Sequence, residues 1–369
     1  MSARAIPTSG PKAFAPALPS PVLELCWSVG GDGTFLGPSG VTALDDGLML
    51  VVDECRHGLV VLDENGSVVR RLGEAGSAPG SFRYPTQAVA DGDGGFWVTD
   101  RWNHRVQRLD ASGRVLCAAG SYGPAPGEFN EPWGIAVGDD GRLVVSDRSN
   151  HRLQVVSGDG AFVGTCGRGG YDRFYYEGKA FKGGYVYQRW GALSNRFMPH
   201  ETLFHEQGYT LGTLEYPQGL AACGGGRVLV ADPGIGVVLR CTLETGAIEP
   251  LTAPGARPAP TNVAGIGGGL FVAVADAGNA AWLLDAEGCA AQDSAAQDSV
   301  AQGSGAQGSG ARGSGARGSV GLFEVPGIEH LTACAPGPGG TLWCLDGWNH
   351  RLACYRLELG PVEAPSSVW

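Results

Sequence analysis

The stretch Asp100-Arg-Trp-Asn-His-Arg-Val-Gln-Arg-Leu109 returns 47 residues later as Asp147-Arg-Ser-Asn-His-Arg-Leu-Gln-Val-Val156. It returns again as Asp346-Gly-Trp-Asn-His-Arg-Leu-Ala-Cys-Tyr355, and Asp53-Glu-Cys-Arg-His-Gly-Leu-Val-Val-Leu62 is a weaker copy. Self-similarity at a period of this size marks a repeat architecture, in which each unit buries its apolar faces only against its neighbours. The repeats around the motif read as strands. The first runs from Pro38 to Gly73 with strands at Val41–Leu44, Leu48–Val52, Leu59–Leu62 and Val68–Leu72, joined by tight turns at Asp45-Asp-Gly47 and Asn65-Gly66. The second runs from Pro85 to Gly120 and the third from Pro132 to Gly167.

Composition agrees with short strands and many turns. The 369 residues include 62 glycines and 23 prolines, and no long helical periodicity appears. The formal net charge is −11, which repels phosphate backbones and anionic lipid and so disfavours nucleic-acid or membrane partners. Ten cysteines are scattered singly, several in apolar strand patterns (Cys117, Cys166, Cys344), and read as small core residues of a reducing compartment. Residues 1–21, rich in Pro, Ala and Ser, lack the apolar run of a signal peptide and read as a disordered tail, so the expected location is the cytoplasm.

Two insertions interrupt the period. Residues 168–214 delay the fourth repeat, which resumes at Pro217-Gln-Gly-Leu-Ala-Ala222, Arg227–Asp232 and Val237–Cys241. Residues 291–320 are tandem pentapeptides without the apolar content to fold, set before the last strand of the fifth repeat near Leu322–Val325. The sixth repeat, from His330 to Leu357, has three strands of its own, while Val22–Val29 is an orphan strand at the start of the chain. Pairing the orphan with the last repeat closes a ring and covers both sheet edges. With the insertions removed, residues 22–359 leave about 43 per unit over six units, an ordinary length for a four-stranded blade. The fold expected is all-β: a six-bladed β-propeller of four-stranded antiparallel blades with the N-terminal strand closing the last, followed by a C-terminal tail over 360–369.

At the Asn-His-Arg-[Val/Leu] steps and the Pro-x-Gly-[Ile/Leu]-Ala openings, the chain resembles the NHL-repeat family of six-bladed propellers. The match is specific in repeats two, three and six. In repeats four and five, Pro233-Gly-Ile-Gly236 and Ala277-Gly-Asn-Ala280 stand where the motif would be. The resemblance implies the fold. For function it implies a protein-binding or RNA-binding module, or an amidating lyase or hydrolase, and architecture alone does not choose among these.

Numbering the strands of a blade 1 to 4 outward, the 2–3 loops and the connections from strand 4 to the next strand 1 share one face, here called the top. The Asp-x-x-Asn-His loops and the 168–214 insertion therefore lie on the top, and the pentapeptide loop hangs from the bottom. The insertion holds eleven aromatics and six basic residues against four acids, the composition of a lid, a recognition surface or a packed plug. The Asn-His-Arg triplets recur in equivalent places, so they read as loop-pinning groups rather than catalytic ones. The residues expected to ring the mouth are Thr86, Gln87, Trp133, Gln218, Asn262 and His330, with His330 at the same position of the innermost strand as Gln87 and Asn262, joined by Arg101, Trp102, Arg148 and Trp348 from the 2–3 loops. Trp walls, amides and arginines suit a peptide, a protein or a small polar ligand. No catalytic residue, cofactor or metal is assigned: of possible ligands only His330 reaches the rim, with His200 and His205 in the insertion at no diagnostic spacing. The expectation is a monomeric interaction module working through its top face, with a metal-assisted lyase or hydrolase and an RNA binder as alternatives.

Overall fold

The computed structural model describes residues 21–169, 213–252, 259–275, 278–285 and 320–359. The expected tails over 1–21, apart from Pro21, and 360–369, nearly all of the aromatic insertion and the pentapeptide loop lie outside them; Pro21 begins the closing strand. Blade 1 comprises β2 (Pro38–Ala43), β3 (Met49–Asp53), β4 (Gly58–Leu62) and β5 (Val68–Leu72). Blade 2 comprises β6 (Pro85–Ala90), β7 (Phe96–Asp100), β8 (Arg105–Leu109) and β9 (Val115–Ala119), and blade 3 comprises β10 (Pro132–Val137), β11 (Leu143–Asp147), β12 (Arg152–Val156) and β13 (Phe162–Cys166). A two-residue parallel pair, β14 (Arg168–Gly169) and β15 (Thr213–Leu214), joins the two ends of the insertion. Blade 4 holds β16 (Leu220–Ala222), β17 (Arg227–Asp232), β18 (Val237–Thr242) and β19 (Ala247–Pro250), and blade 5 holds β20 (Pro260–Gly267), β21 (Leu270–Ala275), β22 (Ala280–Asp285) and β23 (Val320–Glu324). Blade 6 has β24 (Leu331–Pro336), β25 (Thr341–Asp346) and β26 (Arg351–Leu359), and its fourth strand is β1 (Pro21–Gly30) from the start of the chain, in the order β1-β26-β25-β24.

Every pairing within a blade is antiparallel. The middle strands of a blade face a neighbour on both sides, which explains why runs such as Met49–Asp53 and Gly58–Leu62 are buried at every position. Six apolar clusters fill the ring, one at each interface between neighbouring blades. Blade 6 meets blade 1 through Trp343, Leu345 and Ala333 against Met49, Val51 and Phe35, with Trp27 of β1 packed on the same cluster. Each fully buried large side chain contributes about 1.5–3 kcal/mol, so stability is spread around the ring and depends on its closure.

Adjacent innermost strands approach very closely. A Cβ added at Gly134 would stand 1.9 Å from the Gln218 carbonyl oxygen of the next blade, which is why glycine opens this strand. Hydroxyls stitch the same seam. Ser39 donates to the Thr86 carbonyl (3.0 Å), Thr86 and Thr99 both donate to the Trp133 carbonyl (2.8 Å each), and Ser146 donates to the Gln218 carbonyl (2.8 Å).

The register of blade 6 corrects one expectation. Leu331 pairs with Asp346 as Pro85 pairs with Asp100 and Pro132 with Asp147. The counterpart of Gln87 is therefore Ala333. His330 corresponds instead to Tyr84 and Glu131, on the connection just before the strand. Blade 6 has leucine at the usual proline position, so the marker used to align it is missing.

Closure by β1 makes a direct prediction. A variant beginning at Gly31 is expected to melt about 10 °C below one beginning at Pro21, because Leu23, Trp27 and Val29 leave the clusters they complete. Thermal unfolding followed by circular dichroism checks it; equal melting temperatures would contradict closure by β1.

Candidate functional site

On the top face, a buried aspartate ends the second strand of most blades. Asp53, Asp100, Asp147, Asp232 and Asp346 are all fully buried, and Ala275 stands at this register in blade 5. Each carboxylate accepts backbone N–H groups from the connection that precedes its blade. Arg83 N donates to Asp100 (2.7 Å), Asn130 N to Asp147 (2.7 Å) and Gly37 N to Asp53 (2.8 Å). In blades 2 and 3 the repeated motif supplies the remaining partners. Asn103, Arg105 and Gln107 converge on Asp100 at 2.9, 2.8 and 3.1 Å, and Asn150, Arg152 and Gln154 converge on Asp147 in the same way.

The motif histidine adopts a left-handed backbone conformation that ends the loop's short 3-10 turn, with φ of 57°, 53° and 57° at His57, His104 and His151. Its side chain reaches the next blade. His57 Nδ1 accepts from Tyr84 N (3.0 Å), and His104 Nδ1 accepts from Glu131 N (3.2 Å). These histidines hold blade to blade, so the repeated triplets are parts of the scaffold.

Of the residues expected at the mouth, Thr86 is only 2% exposed and belongs to the blade 2–blade 3 seam. Gln218 contributes its carbonyl to the next seam. Gln87 and Asn262 come from blades on opposite sides of the ring, and Gln87 Nε2 donates to Asn262 Oδ1 across the axis at 3.0 Å. Gln87 Oε1 accepts from Ile135 N of blade 3 at 3.1 Å. The two amides thus bridge the channel and give the top face a floor.

Above the seam between blades 2 and 3, Arg101 and Arg148 lie against the Trp133 ring at 4.5 and 4.8 Å from its centroid. Glu131 ties them together, accepting from Arg101 (3.3 Å) and Arg148 (3.1 Å), while Arg101 also reaches Glu54 (3.4 Å). Burial alone would raise the Glu131 carboxyl, but the two guanidiniums outweigh it and hold the group below its ordinary range. Glu54 is raised, because burial outweighs Arg101 and Arg148 there. Outside this compensated cluster stand large exposed aromatics. Trp102 is 50% exposed beside Tyr84 (5.4 Å between centroids), and Trp348 is 70% exposed, stacked on His330 at 4.7 Å. They flank blade 1, whose loop carries the smaller, exposed Cys55 at the corresponding position.

Blade 4 departs from the pattern. Ile235, Val237 and Leu239 replace the asparagine, arginine and glutamine that surround the aspartate elsewhere, and Asp232 keeps backbone donors: Glu215 N (2.7 Å), Tyr216 N (2.9 Å) and Gly234 N (3.1 Å). Burial pushes Asp232 up to about 6. The Glu215 side chain lies across Gly234, where an added Cβ would meet it at 2.9 Å. Burial and then the charge of Asp232 push Glu215 up to about 7. Sequence reasoning passed over Glu215; the loss of all three motif partners from repeat four was the available sign.

Among the described residues, no group of three or more His, Cys, Asp or Glu is placed to hold a metal ion, and no helix is long and apolar enough to cross a membrane. A pocket of about 80 Å³ lies on the bottom face between blades 3 and 4, lined by Gly138, Asp139, Ala222 and Arg227, away from the groups described above.

The NHL repeat model matches residues 82–109 and 129–156, within blades 2 and 3 of the six-bladed propeller. No curated protein matches the sequence. Solved structures match in fold. A gluconolactonase from Xanthomonas campestris is 12% identical over 94% of this chain and 99% of that one, with a TM-score of 0.57. A streptogramin B lyase is 13% identical over 92% of this chain and 98% of that one, with a TM-score of 0.54. A catalytically inactive virginiamycin B lyase from Staphylococcus aureus with quinupristin is 14% identical over 94% of this chain and 90% of that one, also at 0.54.

Glu215 provides a test of the geometry in blade 4. Its folded affinity for a proton exceeds that of an ordinary carboxyl, so folding takes up a proton and stability falls as pH rises from about 4.5 to about 7. Glu215→Gln removes this dependence. Its melting temperature is expected to gain on the wild type between about pH 5 and about pH 7 and to level off above that. A constant difference across that range would place Glu215 in an ordinary environment.

Proposed function

We propose that this NHL-repeat propeller is an interaction module that binds a protein or peptide across its top face. The observation that carries the reading is the exposure of Trp102 and Trp348 on either side of blade 1, on a rigid face whose channel is bridged by Gln87 and Asn262. Exposed tryptophans on a platform with a shallow floor suit an extended partner surface, which such side chains anchor with about 2 kcal/mol or more each. The arginines beside Trp133 are already compensated by Glu131 and Glu54, so they support the platform's shape and edge polarity. Nine free cysteines among the described residues favour a reducing compartment for this work.

One observation favours a second reading. A carboxyl at about 7, beside a buried aspartate and at the end of the top-face insertion, is a group able to exchange a proton near neutrality, as a lyase or lactonase would require.

The two readings separate in one set of variants. In quantitative pull-downs, Trp102→Ala/Trp348→Ala is expected to reduce recovered partners by about tenfold or more, while the bottom-face substitution Asn65→Ala changes nothing. Recovery of the same partners at the same level by all three proteins would overturn the module reading. Turnover of a gluconolactone, a streptogramin B or virginiamycin B by the wild type, lost in Glu215→Gln, would replace it with the enzymatic one.

A further inference from the structure

Four of the nine described cysteines sit in blade 6, the one blade built from both ends of the chain: Cys26, Cys334, Cys344 and Cys354. Cys334 and Cys344 face each other across β24 and β25 with sulfurs 3.4 Å apart, but both are buried. The other pair differs in place and access. Along the β1–β26 ladder the register shifts between Leu25 and Trp27, so Cys26 is the extra residue of a β-bulge, and Trp27 pairs with Cys354. The bulge sets Cys26 next to Trp27 in the ladder, directly across from Cys354 on β26, with the Cys26 thiol donating to the Glu24 carbonyl of its own strand (3.7 Å). Cys26 is exposed, whereas Cys354 is only 3% exposed in the blade 6–blade 1 cluster.

We propose that Cys26 and Cys354 are a redox modification site, a reversible disulfide that locks the closing strand onto the ring, formed by exchange with a low-molecular-weight disulfide such as oxidised glutathione. The exposed Cys26 attacks first. Its thiolate displaces one glutathione thiolate and leaves Cys26 bonded to the other glutathione. The Cys354 thiol then loses its proton and attacks the Cys26 sulfur, forming the intramolecular bond and expelling the second glutathione. Two protein thiols give up two electrons and two protons, and oxidised glutathione becomes two thiols. Burial pushes the Cys354 thiol up to about 11, so it forms little thiolate and does not react first; it takes part only in the second step, where the mixed disulfide is already beside it.

The site lies where a covalent bond has the most effect. Without it β1 is held to the ring by non-covalent contacts alone: its ladder, the packing of Leu23, Trp27 and Val29, the edge-on Trp27–Trp343 contact (4.9 Å) and an exposed Glu24–Arg356 ion pair. A bond from Cys26 to Cys354 joins the two ends of the propeller and restricts the opened and unfolded states.

The full-length protein is incubated with oxidised glutathione, alkylated, digested and analysed by mass spectrometry, and its melting temperature is measured before and after dithiothreitol. The expected result is a Cys26–Cys354 linked peptide, with a melting temperature about 5 °C or more above that of the reduced protein. Cys26→Ser, an exposed and nearly isosteric change, is expected to fold, to melt like the reduced wild type and to lose the redox dependence. The proposal is overturned if Cys26 is recovered only as its glutathione adduct or joined to another cysteine. It is overturned equally if the linked form melts no higher, or if Cys26→Ser keeps the full redox shift.

Discussion

One buried carboxylate in each of five blades is the interaction on which the top face depends. Asp53, Asp100, Asp147, Asp232 and Asp346 each end a second strand and bind backbone N–H groups of the connection entering the same blade. An ionised carboxylate without water is costly unless donors surround it. In blades 2 and 3 the asparagine, arginine and glutamine of the motif surround it, and the same arginine reaches on to carbonyls of that connection: Arg105 to Ala78 and Ser81, and Arg152 to Ala125 and Glu128. The loop and the connection become one unit. The left-handed histidine at the end of the loop then carries the constraint to the next blade.

From this follow both the rigidity and the unevenness of the face. Blades 1 to 3 carry the Glu54–Arg101–Glu131–Arg148 chain around Trp133, with its charges compensated internally. Blades 6 and 2 lift Trp348 and Trp102 into solvent. Blade 4 keeps the aspartate but has apolar side chains in place of its partners, and a second carboxyl, Glu215, takes up a proton beside it. The scaffold is repetitive, and what distinguishes this chain is the set of positions where the repeat is broken. Gln87 and Asn262 are another such break, placed where Gly134 and Gly219 stand in their neighbours, and together they bridge the axis.

The fold was legible because the motif's period, its turns and the orphan strand all pointed to a closed ring, and each has a local physical cause that a sequence displays. The top-face location of the 2–3 loops followed from antiparallel order alone. What was hidden depends on closure in three dimensions. Gln87 and Asn262 are 175 positions apart, and no periodicity links them. His330 was placed three residues from its true register because Leu331 replaces the proline. The constant interval of sixteen residues to the buried aspartate, shared by Tyr84, Glu131, Tyr216 and His330, would have placed it correctly. The placing of Cys26 across from Cys354 was equally invisible, since it requires knowing both that β1 closes blade 6 and that its ladder carries a bulge.

The direct test is amide hydrogen exchange on Asp100→Asn compared with the wild type. If the carboxylate organises the top of blade 2, exchange will accelerate at Arg83, at Trp102, whose N–H donates to the Arg83 carbonyl, and at Glu131, which His104 holds in the next blade. The bottom hairpin around Asp110 and Gly113, remote from Asp100, will keep its protection. Unchanged exchange at the top, or a uniform loss of protection across both ends of blade 2, would contradict the assignment of Asp100 as the anchor of that face.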